Sequence, residues 1–114
     1  MEFETLPEYD KDLKNLLKKY RTLVSDIEDV KKVLGVRPDA HPPFSFQIDG
    51  LGIQSCVIKV KKIASDSFKG KGSKSGLRLV YAYFKEIPKI VMIELYHKND
   101  KASEDRERIL SNFK

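Results

Sequence analysis

The chain has 114 residues, 40% hydrophobic and 34% charged, which suits one modest core and excludes a disordered chain. It carries a formal net charge of +5, and no apolar run approaches the roughly 18–20 residues needed to span a bilayer. One cysteine, Cys56, and two histidines, His41 and His97, preclude an internal disulfide and a zinc site with ordinary ligand spacing, so no metal or other cofactor is expected.

The acidic opening Met1-Glu2-Phe3-Glu4 lacks the pattern of a secretory signal, and a cytoplasmic protein is expected. Phe3 to Thr5 is a candidate first strand. Thr5-Leu6-Pro7-Glu8 has the form of a capping box, with proline tolerated in the first turn, and opens a helix. Tyr9, Leu13, Leu16, Leu17 and Tyr20 then recur at helical spacing, opposite Lys11, Lys14, Lys18 and Lys19. A second helix is predicted to start between Thr22 and Ser25, where Ser25-Asp26-Ile27-Glu28 offers another box. Its stripe is Leu23, Ile27, Val30 and Leu34. Gly35 stands where a left-handed cap belongs, and Pro38 forbids continuation. An irregular, proline-rich stretch follows, in which Phe44, Phe46 and Ile48 alternate as a short extended piece and His41 reads as an exposed loop residue.

From Cys56 onward the apolar period changes to two, which predicts strands over 56–64, 77–84 and 89–96. Glu86-Ile87-Pro88 is short enough to demand an antiparallel return. Alternation puts Leu77, Leu79, Tyr81 and Tyr83 on the inner side of their strand, with Arg78 opposite. In the next strand it turns Val91, Ile93, Leu95 and His97 toward the helices, and leaves Glu94, Tyr96 and Lys98 on an exposed face with Arg78. Ser103 to Phe113 is a short charged helix with Ile109, Leu110 and Phe113 on its apolar side. The order reads as a single α+β domain over residues 1–114, two helices on a small antiparallel sheet with a terminal helix.

Charge is concentrated. Lys59, Lys61, Lys62, Lys69, Lys71, Lys74 and Arg78 face one acid, Asp66, so this segment carries +6 and the remainder −1. That is the footprint of a polyanion-binding surface. Its centre, Lys69-Gly70-Lys71-Gly72-Ser73-Lys74-Ser75-Gly76, is not a nucleotide loop. A P-loop needs glycine before its Lys-Ser pair, where Ser73 stands, and a helix after it, where a strand is predicted. A dinucleotide fingerprint needs its third glycine one residue before Gly76. What remains is a flexible cationic connection suited to a phosphodiester backbone, whose binding is largely electrostatic.

Gly76-Leu77-Arg78-Leu79-Val80-Tyr81, with Lys69 and Lys71 ahead of it, resembles the RelE/ParE superfamily of toxins from toxin–antitoxin modules. The resemblance extends to Leu6-Pro7-Glu8-Tyr9-Asp10-Lys11-Asp12-Leu13 at the first helix and to Ile93-Glu94-Leu95-Tyr96-His97-Lys98-Asn99 at the last strand. Its nearest flavour is the HigB-like branch, through the strand from Ser75 to Phe84. The resemblance implies helices packed on an antiparallel sheet, a concave basic surface, a cognate antitoxin as partner, and, in the RelE branch, mRNA cleavage in the ribosomal A site. Family catalytic residues match at Lys69, Lys71 and Arg78. The family's ribonucleases often carry arginine or histidine just after the last strand, where this chain has Lys98-Asn99, and some carry a terminal tyrosine that is missing here.

Metal-free cleavage by the neighbouring 2′-hydroxyl needs a base, a stabiliser of phosphorane charge and an acid. Arg78 suits the stabiliser through its planar, permanently charged fork. Lys69 or Lys71 is the candidate base, and Tyr96 and His97 compete as the acid, histidine being the better match at neutral pH. Lys59, Lys61, Lys62, Lys74 and Lys98 are candidate RNA-binding cations. Two other functions fit the same residues: a ParE-like inhibitor of DNA gyrase, and an inactive protein whose basic surface serves only an acidic antitoxin.

Overall fold

The computed structural model describes all residues from Met1 to Lys114. The elements are β1 (Glu2–Thr5), α1 (Pro7–Leu17), α2 (Leu23–Val36), β2 (Ser45–Gln47), β3 (Cys56–Val60), β4 (Leu77–Phe84), β5 (Lys89–His97) and α3 (Arg106–Phe113). One open sheet has the order β1-β5-β4-β3-β2. All neighbours are antiparallel except β1, which lies parallel to β5 at the edge, so the sheet is mixed.

The sheet is covered on both faces. α1 and α2 bury Tyr9, Leu23, Ile27, Val30 and Leu34 against Ile58, Val60, Leu77, Leu79, Tyr81, Ile90, Met92 and Leu95. On the other face, Ile109 of α3 is fully buried among Val57, Val80, Ala82, Ile93 and Tyr96. Covering one isoleucine of that size contributes roughly 1.5–3 kcal/mol.

Several local expectations are corrected. Neither predicted capping box forms: α1 starts after Leu6 without a side-chain cap, and α2 starts at Leu23, ahead of Ser25. The Thr22 hydroxyl donates to the Asp26 carboxylate instead. Gly35 is helical, because α2 runs on to Val36; the break falls at Arg37, which Pro38 forces out of the helical region (φ −140°, ψ 77°). β3 ends at Val60, short of the predicted Ala64. There the backbone N–H groups of Lys61 and Lys62 both donate to the Phe44 carbonyl, and the chain turns toward α2.

Strict alternation also fails in β5. Opposite Val80 and Tyr81 the partners are Glu94 and Met92, so Ile93 is an extra, bulged residue. The bulge shifts the pattern by one. Met92, Leu95 and His97 face α1 and α2, whereas Ile93, Glu94 and Tyr96 face α3. Arg78 and Tyr96 remain cross-strand partners. β1 pairs with β5 only through Met92, and beyond it two side chains cover the free edge. Asp12 accepts from the Leu95 N–H, while Arg108 donates to the Ile93 carbonyl and to Asp12 at 2.7 Å.

Candidate functional site

The start of β4, the end of β5 and the chain leaving β3 meet at one corner of the sheet. There, Lys61, Lys62, Ser73, Lys74, Gly76, Arg78 and Lys98 line a cleft of about 200 Å³ that contains no acid and no apolar side chain. None of its five cations takes part in an ion pair. One Arg78 amine donates to the carbonyls of Lys61 and Leu77 at 3.1 and 3.2 Å, which fixes the guanidinium while leaving the rest of its fork free. Lys61 lies over the Phe46 ring, 4.9 Å from its centroid. Uncompensated cations crowded round a polar hollow make an anion site.

Behind the cleft wall, His97 joins the two chain segments that carry it. The ring is buried and lies 5.4 Å from the Phe68 ring and 5.9 Å from the Tyr20 ring. Its Nε2–H donates to the Ser75 carbonyl at 2.9 Å, and its Nδ1 accepts from the Asn99 N–H at 3.1 Å. These partners assign the tautomer and occupy both nitrogens. The Gly76 carbonyl accepts from Lys98 N–H, closing the same corner. Gly76 has φ +88°, and a Cβ there would lie 2.7 Å from His97 Nε2. Only glycine fits.

A second latch holds the start of the β3–β4 connection. Asp26, buried in the first turn of α2, accepts from the hydroxyls of Thr22 and Ser65 and from the Asp66 N–H. Ser67 accepts from the Thr22 N–H. The connection is therefore tied down at 65–67 and again at 75–76. Between the ties, Lys69 and Lys71 are exposed on successive turns.

The cationic site candidates fall into three groups. Arg78, Lys61, Lys62, Lys74 and Lys98 come together in the cleft. Lys69 and Lys71 do not line it, although the chain runs from them into its wall at Ser73 and Lys74. Lys59 shares the sheet face of Arg78 but lies outside the cleft, paired with Glu104 at 2.7 Å.

Tyr96 shares the face of Arg78, but that face is covered rather than exposed, leaving the ring 6% accessible. Burial, with the nearby Glu104 and Glu94 carboxylates, pushes its hydroxyl up to about 12 against the pull of Arg78, so the phenol is protonated at neutral pH. Lys101 lies 5.4 Å above the ring and pairs with the buried Glu94. Sequence reasoning missed Ser73 and Gly76 as lining residues; a glycine just before a strand that begins with Arg78 was the available signal. It also missed Glu104, whose acid run ahead of a short helix gives no hint of a partner on β3.

No protein-family model matches this sequence, and no curated protein matches it. Among solved structures the chain is similar to one from the archaeal RelE–RelB complex of Pyrococcus horikoshii OT3. The identity is 14% and the TM-score 0.55, over 88% of this chain and 97% of that one. The architecture is thus a RelE-type α+β fold.

Proposed function

We propose that the chain is the toxin of a toxin–antitoxin module: a ribosome-dependent, metal-independent mRNA endonuclease kept inactive by a cognate antitoxin. The observation that carries this reading is a cleft with five unpaired cations and no acid on a RelE-type fold. That the similar chain occurs in a RelE–RelB complex supports an antitoxin partner. The likeness of the β4 sequence to the HigB-like branch belongs to the same proposal. A hollow without apolar walls suits a sugar-phosphate chain better than a nucleotide, whose base would need a surface to lie on.

In the proposed reaction the 2′-oxygen attacks the adjacent phosphorus and the bond from phosphorus to the 5′-oxygen breaks. The products are a 2′,3′-cyclic phosphate and a 5′-hydroxyl; one proton passes to a base and another reaches the 5′-oxygen from an acid. The Arg78 fork takes the non-bridging oxygens as their charge grows. Lys61, Lys62, Lys74 and Lys98 hold flanking phosphates. Of the two acid candidates Tyr96 neighbours Arg78 and would have to be uncovered to reach the leaving oxygen, while His97 has both nitrogens engaged. Lys71 or Lys69, just ahead of the cleft wall, is the base.

A second reading rests on the absence of both lysines from the cleft lining. A protein that blocks by binding, to RNA or, as a ParE-like inhibitor, to DNA gyrase, needs no base. Induction in cells, primer extension on mRNA from stalled ribosomes, and a supercoiling assay separate these functions. Cleavage that disappears in Arg78→Ala supports the nuclease. Growth arrest with intact mRNA selects the blocking protein, and lost supercoiling narrows that to gyrase. No arrest removes the toxin reading altogether.

A further inference from the structure

Lys59 lies one step beyond the cationic cleft, on the same face of the sheet. Its partner on β4 is Val80, two residues from Arg78. Its partner on β2 is Phe46, whose ring carries Lys61 of the cleft 4.9 Å from its centroid. Lys59 is not open to solvent. The Glu104 carboxylate accepts from its amine at 2.7 Å and lies 3.9 Å from Arg106; the side chains of Lys59 and Glu104 are 17% and 9% exposed. Burial raises the Glu104 carboxyl, but the bond from Lys59 outweighs it and holds the group below its ordinary range, so the pair is ionic at neutral pH. An anion of the protein itself thus sits between two cations, at the border of a cleft that contains none.

We propose that Lys59 and Arg106 form a further phosphate subsite for the RNA strand, occupied in the free protein by the Glu104 carboxylate as an internal stand-in. A strand gripped at Arg78 and Lys61 brings an adjoining phosphate to Lys59, and that phosphate displaces Glu104. The exchange keeps the half-buried amine paired throughout, whereas simply removing the carboxylate would leave a buried charge alone. The released carboxylate returns to water. An isolated phosphate gains little from such a swap, but a strand already held in the cleft presents its phosphate at high local concentration. Glu104 therefore favours a polymer over a free nucleotide. It belongs to the irregular segment 98–105 between β5 and α3. Beyond Asp100, the hydrogen bonds from this segment to the sheet are the Lys59 pair and two to Glu94, from Lys101 and from the Asp105 N–H. Lys101 also lies over the Tyr96 ring, so loosening the segment is a route to uncovering Tyr96.

The subsite rests on the reading of the cleft as a phosphate site, and fluorescence anisotropy with a labelled single-stranded RNA dodecamer separates the two. The proteins compared are wild type, Arg78→Ala, Glu104→Gln, Lys59→Met/Glu104→Gln and Glu107→Gln, the last an exposed acid of α3 that controls for net charge. Glu104→Gln, which keeps an acceptor for Lys59, is expected to tighten binding about fivefold or more. Lys59→Met/Glu104→Gln returns it to within about twofold of wild type, and Glu107→Gln changes it by less than about twofold. In the wild type, the NMR signal of the Glu104 carboxyl carbon moves when the dodecamer binds and stays in place with inorganic phosphate at the same phosphate concentration. The subsite is overturned if Glu104→Gln binds no tighter, if the gain survives the loss of Lys59, or if the dodecamer leaves the Glu104 signal unmoved. Absent binding to wild type, or binding that Arg78→Ala leaves intact, refutes the cleft instead. Lys59 is then judged by the Glu104→Gln variants alone: a gain that disappears with Lys59 supports the subsite, and no gain overturns it.

Discussion

At the level of single residues, Gly76 and Tyr96 carry the sharpest consequences. Gly76→Ala places a Cβ against the His97 ring in a left-handed backbone region, and the ring is itself held by Ser75, Asn99, Phe68 and Tyr20. The variant is expected to lose roughly 2–3 kcal/mol in urea unfolding, and unchanged stability would show that the corner yields freely. Tyr96 has a folded pKa of about 12, above its ordinary 10.0. Its contribution to stability is therefore complete below pH 10 and is lost as pH rises through 12. Tyr96→Phe should make the fall in unfolding free energy across that window shallower, as followed by circular dichroism; an unaltered slope refutes the assignment.

Period-two alternation sufficed to place Arg78 away from α1 and α2, and to send His97 inward. It misjudged Tyr96, since nothing local to that residue announces that α3 will lie over it. Lys59 was illegible for a similar reason: its partner Glu104 is 45 positions away.

Among the elements, the connection from β3 to β4 depends on Asp26. Asp26→Ala removes the acceptor shared by two hydroxyls and a backbone N–H, at a cost of about 3 kcal/mol. It should also release residues 65–74, so that trypsin cuts at Lys69, Lys71 and Lys74 far faster than in the wild type while β4 and β5 stay protected. Equal cleavage rates would mean that the His97 corner alone holds the connection. β4 was readable to the residue because its apolar alternation is unbroken and a glycine precedes it. β3 was overextended because Ile63 and Ala64 carry apolar character past Lys61 and Lys62, while the carbonyl of Phe44 captures the backbone. The two capping boxes were plausible locally, but Thr22 was drawn into the Asp26 cluster and α2 began earlier. A one-residue bulge at Ile93 has no signal in a run of β-branched and aliphatic residues, yet it decides which side chains share a face with Arg78.

For the molecule as a whole, the helix–sheet architecture was legible from periodicity and the order of motifs, whereas the parallel edge pairing of β1 depends on residues far away in the chain. The charge imbalance marked the region of the cleft, but folding then divided its seven cations: four line the cleft, where Lys98 joins them, Lys59 is neutralised, and Lys69 and Lys71 stand outside. If all five cleft cations meet phosphates of single-stranded RNA, log affinity should fall against log salt with a slope of about −3.5, at about 0.7 per contact. Arg78→Ala should make that slope shallower by about 0.7, and a slope near zero in wild type would exclude a phosphate-gripping site.

The Asp12–Arg108 clasp has a different consequence, one of timing. It ties the free edge of β5 across 96 positions of sequence, next to the helix that shelters Tyr96. During synthesis the earlier segments emerge first. Until Arg108 and Ile109 have left the exit tunnel, half the sheet stays bare and Asp12 has no cation. Each newborn molecule therefore passes through an immature interval, set by translation speed, before its architecture is finished.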